Sequence, residues 1–394
     1  MAGKKEKILI VHNYYQIPGG EDMVVTNEKR MLEDNGHEVT LYTRNNSELK
    51  GIGRPGKLFL PITSIFNTKT YKDIRYIIKT RKIDIVHVHN TLHLISPAVY
   101  YAALSMKVPV VQTIHNFRLL CPGATFYRNG HICEDCINYG LKCSVKHGCY
   151  RKSKLQTLSC VINTNIHRLT GIYKKINYIC LTEFNKEKLL HFNQISKEQV
   201  FVKPNFVESN IEVIPYEERK NQYIFVGRLD KLKGIDLLLK AWKKMGASVP
   251  VLVICGTGPL ERWCSTFIQA NAINAKMLGF VPNAEARKLI ANSKALILPT
   301  QWYEGFPMSI VEAYSVRTPV ICSDLGNVSN LVIEGSTGYK FKYNSLNDMI
   351  SAINFLISQP DISFQVNEEY FKNYTVENNY KYLKSIYSAI NFKP

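Results

Sequence analysis

The sequence has no run of eighteen or more apolar residues, the length that a membrane-spanning helix needs. It is also poor in acidic residues, with 32 Asp and Glu against 50 Lys and Arg. No fixed-period repeat, low-complexity stretch or nucleic-acid recognition motif accompanies the basic charge. These absences argue against a membrane-spanning protein, a repeat protein and a nucleic-acid-binding protein. Residues 1–7 lead directly into an apolar segment without a secretory leader, so we expect a cytoplasmic protein.

The positive charge is concentrated in the first half of the chain. Residues 1–200 contain 29 basic and 15 acidic residues, whereas residues 201–394 contain 21 and 17. An anionic membrane surface is the partner that this asymmetry favours. The basic stretch Tyr71 to Lys82 has helical spacing, with Ile74, Ile77 and Ile78 on one face. Such a helix either lies in a membrane interface or packs its isoleucines into a domain core, and both interpretations stay open.

A length of 394 residues favours two domains. Short apolar or β-branched segments alternate with helix-like periodicity, first over residues 8–182 and again over residues 223–322. Continuous apolar runs such as Ala295 to Leu298 are typical of parallel strands buried on both faces. The pattern therefore predicts two doubly wound α/β domains. The polar stretch 208–222, with Pro215 inside it, breaks the alternation and reads as the linker.

Two carboxylates eight positions apart, Glu304 and Glu312, are separated by Pro307. Because proline is favoured at the first position of a helix, we expect Glu304 in a loop and Glu312 on the second helical turn. The pair then lies in sequence along an elongated ligand rather than flanking one bond, as glycosidase carboxylates do. Phosphates of that ligand would meet the helix N-terminus. A nucleotide sugar has this shape.

The segment from Glu304 to Glu312 resembles the Glu-x7-Glu signature of the retaining family-4 glycosyltransferases. The resemblance continues through Phe225-Val-Gly-Arg228-Leu-Asp-Lys-Leu-Lys233-Gly234 and reaches Pro18-Gly-Gly-Glu21, so it spans nearly the whole chain. It implies the GT-B fold, in which two Rossmann-like domains face a central cleft. We expect an acceptor-binding domain over 1–207 and a nucleotide-sugar-binding domain over 208–369. The resemblance also implies a C-terminal helix, 370–394, that crosses back to the first domain.

The resemblance assigns roles to individual residues. Arg228 and Lys233 would grip the donor diphosphate, where the leaving group needs fixed positive charge, although a solvated Arg and Lys in a βα loop is the plainer interpretation of either alone. Glu304 would bind hydroxyls of the donor sugar and Glu312 the ribose. Further substrate contacts are expected from the loop and helix start around them, namely Gly305, Phe306, Pro307, Met308 and Ser309.

Two sites in the first domain complete the expected active site. His115 ends an apolar strand and resembles the family's strand-ending His that touches the donor sugar, so it joins Glu304, Arg228 and Lys233 as a catalytic candidate; a lone His is otherwise often a core residue. Gly19 and Gly20 follow the first strand and let the backbone approach an anion closely. The spacing of His87, His89 and His93 is metal-like, but the resemblance implies no catalytic metal and no cofactor.

Four of the ten cysteines cluster in an insertion covering about 118–155. Cys133, Cys136, Cys143 and Cys149 have the spacing C-x2-C-x6-C-x5-C, which is short enough for a structural zinc knuckle. Reduced thiols without a metal are the alternative. A cytoplasmic location disfavours disulfides.

We therefore expect a retaining glycosyltransferase that uses a nucleotide sugar, with UDP favoured, and no nucleic acid. Its acceptor would be a lipid-linked glycan or polysaccharide, and the protein would associate peripherally with the inner face of the cell membrane. Two alternatives remain. One is a transferase to a small soluble acceptor, which would show no lipid dependence. The other is a catalytically silent sugar-nucleotide binder, and the intact Arg228, Lys233, Glu304 and Glu312 argue against it.

Overall fold

The structure, a computed structural model, describes residues 5–16, 19–51, 53–208, 211–246, 248–359 and 366–391, with the backbone alone for residues 54–58. The chain forms two compact units. The first contains residues 1–125, 133–204 and 379–394, and the second contains residues 126–132 and 205–378. Within the described residues, no helix combines the length and the apolar character needed to cross a bilayer.

The first unit is built on a six-stranded sheet in the order β2-β1-β3-β4-β7-β8, in which every neighbouring pair is parallel. The central strands are buried on both faces, as their continuous apolar sequences predict. The strands are β1 (Lys7–Tyr14), β2 (Glu38–Asn45), β3 (Ile85–Asn90), β4 (Val110–Ile114), then β7 (Asn177–Cys180) and β8 (Val200–Val202), with the hairpin strands β5 (Tyr127–Arg128) and β6 (His131–Ile132) between them in sequence.

Among the described residues, nine helices connect these strands, and most of a further helix near the end of the sequence also belongs to this unit. They are α1 (Gly20–Asp34), α2 (Glu48–Gly51), α3 (Arg54–Ile65), α4 (Thr68–Arg81), α5 (Ala98–Ser105), α6 (Asp135–Asn138), α7 (Lys142–His147), α8 (Lys154–Leu169), α9 (Glu183–Leu190) and, at the end of the chain, α17 (Val376–Asn391). The helices α4 and α8 begin where Asn67 and Ser153 accept hydrogen bonds from backbone N–H groups of the first turn.

The second unit repeats the plan with a parallel sheet in the order β11-β10-β9-β12-β13-β14. Its strands are β9 (Gln222–Val226), β10 (Val251–Cys255), β11 (Ala275–Gly279), β12 (Ala295–Leu298), β13 (Val320–Asp324) and β14 (Gly338–Lys342). Its helices are α10 (Ile235–Met245), α11 (Glu261–Ala270), α12 (Asn283–Ala291), α13 (Met308–Ser315), α14 (Gly326–Leu331), α15 (Leu346–Ile357) and α16 (Val366–Asn373).

Successive strand residues of the second unit point into two different cores. Ile224 and Leu296 belong to one apolar cluster, whereas their neighbours Tyr223 and Ile297 belong to the other. Because side chains alternate between the faces of a sheet, helices cover both faces. The expected doubly wound architecture is therefore confirmed, and strands and helices alternate over residues 223–322 as predicted.

The last part of the chain is divided between the units. Tyr370 and Tyr374 pack in the second unit, where the Tyr370 hydroxyl donates to the carbonyl of Val207 at 2.6 Å. Helix α17 joins the first unit from Asn379 onwards. There Tyr387 is fully buried, and its hydroxyl lies 2.8 Å from His87 Nδ1.

Candidate active site

Two loops of the second unit meet at the carboxyl ends of the neighbouring strands β9 and β12. The backbone N–H of Gln301 donates to the carbonyl of Leu232 at 2.7 Å, and this contact ties the loops together. Lys233 and Glu304, one from each loop, then form an ion pair with an Nζ–Oε2 distance of 2.7 Å. The structure thus brings together a cation and a carboxylate that the sequence places 71 positions apart. Ligands of open α/β sheets bind at this edge.

The carboxylate of Glu304 is buried and held from several directions. The Thr300 hydroxyl donates to Oε1 at 2.7 Å, while Lys233 donates to Oε2. Asn327, on α14, donates its side-chain amide to the carbonyls of Glu304 and Gly305. A carboxylate can accept about four hydrogen bonds, so each oxygen can still accept one from a hydroxyl group of a ligand. Sequence patterns gave no signal for Thr300 or Asn327.

Arg228 lies in a more open position than Lys233. Its side chain is mostly exposed and its Nε is 3.2 Å from Asp230 Oδ2. The other oxygen of Asp230 accepts the Lys233 backbone N–H at 3.0 Å and so caps the turn from Lys231 to Lys233. One aspartate therefore orders both of the cations predicted to bind phosphate.

Glycines allow the loops around this site to approach one another. Gly234 has a φ of +71°, and a Cβ there would lie 1.9 Å from the carbonyl oxygen of Pro299. Gly256, at the end of β10, has a φ of +140°, and a Cβ would lie 1.9 Å from the carbonyl oxygen of Gly227. Neither position accepts another residue without moving the backbone. Gly256 was missed by the sequence reasoning, although Gly256-Thr-Gly258 was a visible signal.

The segment from Pro307 to Glu312 corrects one detail. Pro307 precedes α13 as its N-cap and is not the first helical residue, because its extended backbone brings the chain into the helix. Glu312 lies in the second half of the helix and is buried, and its Oε1 accepts a hydrogen bond from the Asn283 side chain at 2.6 Å. Burial raises the pKa of Glu312. Phe306 and Met308 pack partly against an apolar core, so these two residues would meet a ligand mainly through their backbone.

In the first unit, His115 follows β4 and stacks against His89 of β3 with ring centroids 5.2 Å apart. Nδ1 of His89 and Nε2 of His115 are 3.0 Å apart. Burial and the neighbouring histidines hold both pKa values well below the usual 6.5. Both rings are therefore neutral at pH 7, which lets one donate and the other accept in the shared hydrogen bond.

Glu28, His87 and His89 are the one group, among the described residues, whose ligand atoms lie close enough together to hold a metal ion. The surroundings fit a cation poorly. Lys203 Nζ lies 3.4 Å from Glu28, and both ring nitrogens of His87 are within 2.8 Å of hydroxyl groups, those of Tyr387 and Thr113. His93 bonds elsewhere, to the Tyr150 hydroxyl at 2.6 Å. The metal-like spacing of the three histidines is thus not reproduced as a triad.

The glycine loop leads into α1, which begins at Gly20; Pro18 lies outside the described residues. Asp22 accepts the Gly19 backbone N–H at 3.0 Å through one oxygen and lies 2.7 Å from His12 Nε2 through the other. The adjacent carboxyl of Glu21 accepts a hydrogen bond from the Tyr15 hydroxyl at 3.0 Å. Burial raises the pKa of Glu21 to about 8, and the charge of Asp22 adds to the rise.

The raised pKa of Glu21 predicts a pH-dependent stability. A carboxyl with a pKa near 8 when folded and near 4.5 when unfolded stabilises the fold fully below pH 4.5, and this contribution is lost as the pH rises through 8. Each pKa unit corresponds to ~1.4 kcal/mol. The melting temperature of Glu21→Gln, relative to wild type, should therefore rise by several degrees between pH 5 and pH 8.5. Asp34→Asn, at the exposed end of the same helix, is the control, and an equally flat profile for both variants would contradict the assignment.

The cysteines of the insertion lie near one another without forming a complete metal site. The thiol of Cys136 interacts electrostatically with those of Cys121, Cys149 and Cys143 and accepts a hydrogen bond from the backbone N–H of Ser144. Burial is the main cause that raises the pKa of Cys136 to about 12. Within the described part of the chain, no three cysteine sulfurs lie within 4.8 Å of one another. The tetrahedron of a zinc knuckle is thus not assembled in this structure.

The structure decides between the two interpretations of the basic helix, a membrane interface or the domain core. In α4, Ile74 and Ile78 are buried in the first unit, whereas Lys72, Arg75, Lys79 and Lys82 are exposed. The isoleucines therefore pack in the domain core instead of lying in a membrane interface. The charged side of the helix remains available to an anionic surface.

A cavity of about 570 Å³ lies within the first unit. It starts at His89 and His115, where β3 and β4 end, and extends between α3 and α8. Its volume falls in the range of ligand pockets. The catalytic candidate His115 therefore faces a space that can hold part of a substrate.

Each unit has a parallel six-stranded sheet covered by helices, as in a Rossmann fold. Two such units define the GT-B class of glycosyltransferase folds. Residues 207–375 match the sequence profile of Glycosyl transferases group 1, and residues 18–134 match that of Glycosyltransferase Family 4. Both matches are to glycosyltransferase profiles, and together they cover most of the chain. The expected fold is confirmed, as is the expectation of a glycosyltransferase.

Relatives cover nearly the full length of the chain. An uncharacterized glycosyltransferase of Methanocaldococcus jannaschii is 24% identical over 98% of this chain and 99% of its own length. The structure of the lipopolysaccharide outer core galactosyltransferase WaaB has a TM-score of 0.65 at 17% identity, covering 96% of this chain and 98% of its own. Anabaena HepE, solved in complex with UDP, has a TM-score of 0.66 at 15% identity, covering 97% and 100%.

Proposed function

We propose that this chain is a retaining glycosyltransferase that transfers a sugar from a UDP-sugar to a lipid-linked or polysaccharide acceptor at the cytoplasmic face of the membrane. The observation that carries the proposal is the Lys233–Glu304 pair, built where two parallel strands end. The UDP complex of HepE and the lipopolysaccharide acceptor of WaaB, both of the same fold, support the choice of donor and acceptor.

The chemistry follows from where charge develops. Breaking the bond between sugar and diphosphate builds negative charge on the leaving group, and fixed cations at that position lower the barrier. Lys233 and Arg228 supply this charge, and the N–H groups at the start of α13 add to it. Glu304 forms an ion pair with Lys233 and accepts hydrogen bonds from hydroxyl groups of the sugar. The ribose is bound by Glu312, which Asn283 orients.

The acceptor half of the reaction is assigned to the first unit. His115 keeps one ring nitrogen, Nδ1, beyond its contact with His89, and we assign it to the transferring sugar. The Gly19–Gly20 turn contacts the phosphates or the acceptor. No residue of the site is assigned as a covalent nucleophile. We therefore assign the retained anomeric configuration to attack by the acceptor on the same face of the sugar from which the leaving group departs. This mechanism requires no metal or cofactor.

Calorimetric titration of the full chain with UDP, GDP, ADP and their glucose conjugates tests the donor assignment. UDP and one UDP-sugar should bind most tightly. Product analysis with that UDP-sugar should then show an α-linked product from an α-linked donor. A chain that binds none of the nucleoside diphosphates would disprove the proposed function.

The basic face of α4 predicts how the protein reaches the membrane. Each exposed Lys or Arg near anionic headgroups contributes about 1 kcal/mol, and salt screens the attraction within ~10 Å. Cosedimentation with phosphatidylserine vesicles should be strong at low salt and should fall severalfold when Lys72, Arg75, Lys79 and Lys82 are changed to Ser. The matched control changes four exposed cations of the second unit, Lys240, Arg262, Lys276 and Lys288. Equal losses for both sets would assign the binding to net charge alone.

A further inference from the structure

The cavity of the first unit has a charge distribution that the donor site does not explain. Two arginines, Arg118 and Arg151, line it, and none of its described lining residues is Asp or Glu. The carboxyl of Glu21 interacts with Arg118, but its pKa of about 8 keeps it neutral at pH 7. The cavity therefore favours an anionic group.

A single aromatic ring positions both arginines. The guanidinium carbon of Arg118 lies 5.3 Å from the centre of the Tyr150 ring, and that of Arg151 lies 5.4 Å from it. Tyr150 is fixed in turn by its hydroxyl, which is 2.6 Å from His93 Nε2. Arg118 also donates to the carbonyl of Pro122 at 3.2 Å. Guanidinium groups that stack on an aromatic ring keep their N–H edges for phosphate.

The backbone at Arg151 is held in an unusual conformation. Arg151 and Lys152 have φ values of 52° and 56°, in the left-handed region that non-glycine residues rarely adopt. Conformations of this kind cluster where a ligand is clamped. Both residues are exposed, but Arg151 lines the cavity and Lys152 does not.

Part of the cavity lining is apolar and open to solvent. Leu60 of α3 and Leu155 of α8 line the cavity, and Leu155 is 80% exposed, which places it at the mouth. The two helices are joined by a hydrogen bond from the Asn163 side chain to the carbonyl of Ser64 at 2.7 Å. Further apolar side chains stand exposed on the same helices: Phe59, Ile62, Leu158 and Ile162. Exposed apolar surface of this kind marks a site for a ligand, a membrane or a partner.

We propose that this cavity binds a lipid phosphate, with the phosphate group between Arg118 and Arg151 and the hydrocarbon chain leaving between α3 and α8. The inference rests on the proposed function and names its acceptor class: a lipid carrier joined to its glycan through phosphate. Charge complementarity at the arginines and the exposed apolar surface of α3 and α8 select this amphiphile over a free sugar or a peptide.

Calorimetric titrations of the full chain with three probes measure the contributions of the phosphate group and of the hydrocarbon chain separately. Farnesyl phosphate carries both features, farnesol lacks the phosphate, and inorganic phosphate lacks the chain. Farnesyl phosphate should bind at least tenfold more tightly than either of the others. Farnesol binding as tightly would overturn the phosphate assignment, and inorganic phosphate binding as tightly would reduce the site to one for a free anion.

Matched variants then localise the site. Arg151→Ala should weaken farnesyl phosphate about tenfold or more, because a charge-assisted contact is lost, and Arg151→Lys should restore part of the affinity. Lys152→Ala, at the adjacent exposed cation of the same turn, should have little effect. Leu155→Ser should weaken farnesyl phosphate without changing inorganic phosphate, whereas Leu169→Ser, equally exposed on the same helix but outside the cavity, should change neither. Equal effects within either pair would overturn the proposal.

The titrations distinguish a wrong assignment of the lipid phosphate site from a wrong proposed function. Nucleotide binding is assigned to the second unit, so UDP affinity should be unchanged in Arg151→Ala and Leu155→Ser. A chain that binds UDP and transfers sugar but shows no preference for farnesyl phosphate would reject the lipid phosphate site alone. A chain that binds farnesyl phosphate but no nucleoside diphosphate would reject the proposed function and leave the cavity assignment standing.

Discussion

Replacing Lys233 with alanine should weaken UDP binding by roughly 10- to 100-fold, the equivalent of losing a charge-assisted hydrogen bond worth about 1.5–3 kcal/mol. The structure adds a second cause. Without Lys233, the buried carboxylate of Glu304 loses the ammonium group 2.7 Å away and repels the diphosphate. Arg228→Ala should have a smaller effect, because its side chain is mostly exposed. Isothermal titration calorimetry with UDP measures both.

Lys231 provides the control for that experiment. It belongs to the same short turn, carries the same charge and is exposed to solvent. Lys231→Ala should leave UDP affinity within about twofold of wild type, since a solvated cation contributes little. If the Lys231 and Lys233 variants lost affinity equally, the diphosphate would have to bind elsewhere.

Glu304→Gln and Glu312→Gln should separate turnover from nucleotide affinity. Glu304 is assigned to the sugar, so its replacement should lower kcat by ~100-fold, a typical loss for one transition-state contact. The affinity for UDP should stay the same or increase, because Lys233 loses its ion pair with Glu304 and is available to the diphosphate. Glu312→Gln should instead weaken UDP several-fold while kcat changes less. Asn283 can still donate to the amide oxygen of Gln, so the helix should keep its packing.

Steady-state kinetics and UDP titration on the same preparations check this division. Glu285→Gln, on the exposed side of α12, controls for the loss of one carboxylate in the second unit. Two variants with matching losses in kcat and in UDP affinity would show that the glutamates act as one unit, and the separate roles for sugar and ribose would then be wrong.

The sequence predicted the elements whose cause is local. Apolar runs such as Ala295 to Leu298 form parallel strands because their side chains are buried on both faces. The approximate start of α13 follows from the proline that precedes it. The meeting of the two loops that carry Lys233 and Glu304 follows from parallel strands ending at one edge. In each of these places, a short stretch of chain contained the whole physical reason.

Contacts between distant residues left no such signal. His87 lies 2.8 Å from the hydroxyl of Tyr387, a residue 300 positions later, and Lys203 Nζ is 3.0 Å from Asn379 Oδ1, 176 positions later. The short hairpin β5–β6 belongs to the second unit although its sequence is inserted in the first. No periodicity marks a side chain that completes its hydrogen bonds with a remote partner. The same holds for the cavity, whose lining comes from seven separate stretches of the first unit.

The docking of α17 has a consequence for the order in which the chain folds during synthesis. Glu28 and Lys203 are buried in the first unit, and the amide of Asn379 supplies a partner to Lys203. A buried charge without its partners is strongly unfavourable. Within the first 204 residues Lys203 has Glu28 as a partner, but its contact with Asn379 forms only when α17 has been synthesised. Because residues 205–378 lie between these partners in the sequence, the first unit is completed only after the whole of the second unit has been synthesised.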